Sequence, residues 1–76
     1  MRRKQPEPEG FSVWVRNAIK DHNGKFLAWQ WIARTNPKGD HDLEFARAFT
    51  GDLNEMGCVW QIRNKRGEVV EQSAVQ

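Results

Sequence analysis

The residues able to do covalent chemistry are few and scattered. Cys58, His22 and His41 are the only thiol and imidazole groups in 76 residues. A thiolate pair would need Cys58 beside a histidine, and a structural zinc site needs about four ligands, typically in close pairs. Neither spacing occurs. Asp40 and Asp42 are two apart, point to different sides of a helix start, and form no acid/base pair. There is no glycine-rich phosphate loop. The expectation is a chain that is not an enzyme, with no catalytic residue, cofactor, metal or small-molecule substrate. Cys58 is expected to be a structural thiol.

Binding chemistry is better represented. Four tryptophans, Trp14, Trp29, Trp31 and Trp60, stand in a chain without tyrosine, and each can bury ~150–250 Å² in a core or an interface. Cations interleave with them in Trp14-Val15-Arg16 and Trp60-Gln61-Ile62-Arg63, the pattern of a single-strand stacking platform. Any half-exposed strand also produces it. The net charge of +2 divides unevenly. Arg2, Arg3 and Lys4 outweigh Glu7 and Glu9 in the first ten residues, which leaves residues 11–76 at +1. Net charge is therefore a weak argument for nucleic acid.

The elements that must position these groups follow from periodicity. Residues 1–10 read as a flexible arm, broken by Pro6 and Pro8. Phe11 to Lys20 alternates as a strand, with Phe11, Val13, Val15 and Ile19 on one face. Asp21-His22-Asn23-Gly24 is a hairpin turn. Lys25 to Arg34 is a second strand, with Leu27, Trp29, Trp31 and Ala33 on one face and Phe26, Ala28, Gln30 and Ile32 on the other. Asp40 is expected to cap a helix carrying the stripe Leu43, Ala46, Phe49, Leu53 and Met56. Gly51 predicts a bend and Gly57 a left-handed C-cap. Cys58 to Arg63 is a third strand, with Cys58, Trp60 and Ile62 inward. The Asn64–Gly67 turn leads to a short fourth, Glu68 to Gln72, and residues 73–76 are expected to fray.

The fold class is α+β, β-β-α-β-β: two hairpins forming one mainly antiparallel sheet with a single helix packed on one face. Residues 11–72 make one domain. One helix has room for about two tryptophans beneath it, expected to be Trp60 with Trp29 or Trp31. Either the set Trp14, Trp29 and Trp31, or the set Phe11, Val13 and Val15 with Phe26 and Ile32, must then lie on the uncovered face. Monomers rarely expose so much contiguous apolar surface. A domain this small also gains from oligomerisation.

The expected function is a non-enzymatic small accessory protein acting as a protein-binding module. It dimerises through the open sheet face, and the interface candidates are Trp14, Trp29, Trp31, Phe26 and Ile32. The alternative is a nucleic-acid-binding protein. Chain direction gathers Arg2, Arg3, Lys4, Arg34, Lys38, Lys65 and Arg66 at one end of the fold, beside the helix N-terminus, as an anion-contact set. No segment is apolar enough to span a membrane. The first residues lack the apolar stretch of a signal peptide, and a lone thiol fits a reducing compartment. Cytoplasm is expected.

Phe11-Ser12-Val13-Trp14-Val15-Arg16, the turn, and Phe26-Leu27-Ala28-Trp29-Gln30-Trp31 together resemble the YkfF-like family, small proteins of enterobacterial prophages and plasmids. The resemblance covers the first half of the chain. It implies a mobile-element accessory protein and supplies no functional residue.

Overall fold

The computed structural model describes residues 10–73. β1 is Phe11–Lys20, β2 Phe26–Ala33, α1 Leu43–Glu55, β3 Trp60–Asn64 and β4 Val69–Gln72. The four strands form one antiparallel sheet in the order β2-β1-β3-β4. This is the β-β-α-β-β arrangement expected from alternation, with the long first strand at its centre.

Both hairpins turn by the same device. Asp21 Oδ1 accepts from the Asn23 and Lys25 amides, and Asn64 Oδ1 accepts from those of Arg66 and Glu68. A glycine with positive φ closes each turn, Gly24 at 84° and Gly67 at 83°. The side-chain oxygen stands in for a backbone acceptor, which is why Asp and Asn open such turns.

The helix is capped by Asp42, whose carboxylate accepts from the Phe45 amide at 2.8 Å. Asp40, the expected cap, instead accepts from the Asn36 amide in the preceding loop. The cap lies directly before the first apolar residue of the stripe, as helix starts require. The helix runs through Gly51 without a break. Its buried residues are Ala46, Thr50 and Leu53, flanked by Leu43 and Phe49. Met56, assigned to that stripe, is 66% exposed at the C-cap, and Gly57 follows with φ 76°.

Beneath the helix lie Val13, Val15, Trp60 and Ile62. Antiparallel register sets Val13 opposite Ile62 and Val15 opposite Trp60, so the two central strands present one continuous apolar strip. Phe11 and Cys58 pack at its margin. Trp60 is the only tryptophan buried here; Trp29 is 56% exposed and Trp31 is partly exposed. Thirteen helical residues cover two strands, and α1 packs on β1 and β3 without close backbone approach to β2 or β4.

Pairing also extends past the strand ends. Phe11 bridges His41, while the Ser73 amide donates to the Trp60 carbonyl and the Trp60 amide donates to Ser73 Oγ. Gly10 packs against Gly39, where a Cβ would collide with the Gly39 carbonyl oxygen. Gly10 and Ser73 are both buried.

Candidate functional site

The face of the sheet away from the helix is assembled from β1 outward. With Phe11, Val13 and Val15 committed to the core, alternation sends Ser12, Trp14, Arg16 and Ala18 to the other side. Register carries this face across the sheet. Arg16 is opposite Trp31 and Ala18 opposite Trp29 on β2, while Ser12 is opposite Arg63 and Trp14 opposite Gln61 on β3. Of the two expected arrangements, the open face therefore holds Trp14, Trp29 and Trp31. Ile32 pairs with Val15 and belongs to the helix side, where it is 36% exposed because the helix stops short of β2.

Phe26 departs from simple alternation. The register shifts between Ile19 and Lys20, so Ala28 pairs with Ile19 and Phe26 with Lys20, leaving Leu27 as the extra residue of a bulge. This moves Phe26 from the Ala28–Ile32 side onto the tryptophan face. Its ring lies 5.2 Å from that of Trp29, tilted by 58°.

Cations lie over the aromatics. The Arg16 guanidinium is 4.5 Å from the Trp29 ring centroid; that of Arg63 is 4.2 Å from Trp14 and 6.0 Å from Trp31. The face is thus a row of alternating indoles and guanidinium groups crossing three strands. Polar groups close its base. Trp14 Nε1 donates to Ser12 Oγ at 2.8 Å, and Arg63 Nε donates to Gln61 Oε1. Arg16 Nε is buried without a hydrogen-bond acceptor. Among the described residues neither arginine has an ion-pair partner. The Trp60-Gln61-Ile62-Arg63 interleaving does not place its two ends on one face, because Trp60 lies in the core, as expected, and Arg63 on the open face. Arg63 meets Trp14 and Trp31 instead, through strand pairing that linear spacing does not reveal.

β2 is open in a second sense. It is an edge strand, eight residues long, Phe-Leu-Ala-Trp-Gln-Trp-Ile-Ala, without charge or proline. Arg34 N donates to Val13 O, so alternate residues Ile32, Gln30 and Ala28 bond toward β1 while the amides and carbonyls of Trp29, Trp31 and Ala33 point outward. β4, the other edge, is four residues long, has its own register shift, and carries Glu71 paired with Arg47. Short length, bulges and charge are how sheets blunt an edge. β4 has all three, and β2 has only its terminal bulge.

The expected basic end is partly assembled. Lys65 lies beside Gly10 and Gly39, and Lys38 adjoins Gly39 in the loop before the helix. Arg34 follows β2, and Arg66 occupies the second hairpin turn. Arg2, Arg3 and Lys4 lie outside the described residues. Among the described residues no His, Cys, Asp and Glu group could hold a metal ion, and no helix is long and apolar enough to cross a membrane.

Comparison with known proteins returned no matching family model, no matching curated protein and no matching solved structure.

Proposed function

We propose that this chain is a non-enzymatic protein-binding module that self-associates, with β2 as the strand through which it does so. The observation that carries this reading is the contrast between the two sheet edges. β2 combines an unblunted edge with two uncovered faces, and its apolar residues Phe26, Leu27, Trp29 and Ile32 are 36–57% exposed. With about half of each aromatic's ~150–250 Å² left open, this patch is on the order of 400 Å², the size that signals an interaction surface on a small protein. Antiparallel pairing of β2 with its symmetry mate satisfies the outward backbone groups and is compatible with a two-fold axis.

Light scattering at micromolar concentration tests this. The expected mass is twice the 8.9 kDa of one chain. Ala28→Lys, which puts a charge on an exposed position of the edge, returns it to one chain without loss of secondary structure. A wild-type chain that runs as a clean 8.9 kDa monomer overturns the reading.

A further inference from the structure

The tryptophan face has a charge pattern that self-association does not use. Arg16, Lys20 and Arg63 lie on it, with Lys20 opposite Phe26 at the bulge. None of the carboxylates among the described residues shares it. They occupy the two hairpin turns, the helix and its approach, and Glu71, whose partner Ile62 is in the core and whose carboxylate goes to Arg47 on the helix. A nearly neutral domain therefore has one face of cations and aromatic rings, with its acids on the helix side and in the turns at the ends of the sheet. Pairing through the β2 edge leaves this face open and sets two copies of it side by side.

We propose that the Trp14/Trp29/Trp31 face with Arg16 and Arg63 binds single-stranded nucleic acid. A polyanion with stackable bases complements both halves of the pattern. Indole and phenyl rings stack on bases of any sequence, and guanidinium groups donate to phosphate oxygens. Both arginines are held over indoles, with no carboxylate partner among the described residues to compete with phosphate. A four-stranded sheet bearing three or four aromatics is wide enough for roughly two or three stacked bases. Duplex, whose bases are already stacked on each other, fits the face poorly.

Fluorescence anisotropy of a labelled oligo(dT) and an oligo(U), titrated with the full chain, tests the proposal, with a duplex of equal length as competitor. The expected result is single-strand binding whose log affinity falls with log salt at a slope of about −2, for three phosphate contacts at ~0.7 each. Arg16→Gln with Arg63→Gln weakens it tenfold or more and flattens that slope. Trp29→Ala, which removes a half-exposed ring and leaves the core intact, weakens it about tenfold. Circular dichroism verifies that each variant is folded. No binding at low salt overturns the proposal, as does equal competition by duplex or binding unchanged in both variants, which assigns it to the basic end. If Trp29→Ala changes the mass of the wild-type assembly and not oligonucleotide binding, the face is a protein contact and the proposal falls. Mass and oligonucleotide binding are separate readouts, so loss of one reading leaves the other standing.

Discussion

The indole Nε1 of Trp60 donates to Asn54 Oδ1 across 2.8 Å, joining the last turn of the helix to the middle of the sheet. The same tryptophan is bonded through its backbone to Ser73 and faces Val15 across the strand pair. One side chain thus fixes the height of the helix over β1 and β3.

Asn54→Ala strands that indole N–H in a partly buried position. The expected cost is about 1 kcal/mol, since a lost partner exceeds the small gain in helix propensity. Trp60→Ala costs about 3–5 kcal/mol. That is a large share of the ~4–11 kcal/mol a chain of this length can hold, so the variant is expected to be substantially unfolded. Urea denaturation of the two variants, with Trp60→Phe as reference, separates the hydrogen bond from the packing.

Two glycine substitutions should move stability in opposite directions. Gly10→Ala drives a methyl into the Gly39 backbone and lowers stability by about 1–3 kcal/mol, as overpacking does. Gly51 has open space around it in the middle of the helix. Gly51→Ala gains up to about 1 kcal/mol from propensity alone, which raises the melting temperature by about 4–8 °C in a domain of this size. Thermal melts followed by circular dichroism read both.

The Arg47–Glu71 pair is the exception to these local effects. The hydrogen bond and charge of Glu71 raise the Arg47 pKa above its ordinary value. A cation with a raised folded-state pKa stabilises the fold at every pH below its unfolded value, and loses that effect only as pH rises through the folded one. The neutral range is therefore flat with respect to Arg47. Its side chain is 61% exposed, where solvent and salt screen such pairs. Arg47→Gln should leave the urea midpoint nearly unchanged at pH 6 and pH 9 alike. A marked loss at either pH would show the pair to be structural.

The elements were legible where one periodicity dominated. Phe11–Lys20 alternates with a single break, at Asn17, and its strand has those ends. Leu43, Ala46, Phe49 and Leu53 mark the inner side of the helix by their three- and four-residue spacing, which Phe45 falls outside; Thr50, buried on that side, carries no apolar signal. The second strand was harder, because Phe26 to Ala33 is apolar on both sides and only the bulge at Leu27 decides where Phe26 goes. The cap moved from Asp40 to Asp42 because both residue types suit the position, and Asn36 engages the first of them. The tryptophans were recognisable as a surplus. Their arginine partners were not, since Arg63 and Trp14 are 49 positions apart and meet only because β3 docks beside β1.

The inequality of the two edges has a consequence for what this chain can build. A sheet with two open edges can add copies at both and grow without limit. This one has a single unguarded edge, while β4 ends in four residues, a register shift and a charged pair. Its valence for strand addition is one. Association through β2 consumes that valence and presents only guarded strands outward, so the process stops at two copies. On the proposed pairing, the long apolar strand at the rim is closed off at two copies and offers no path to a fibre.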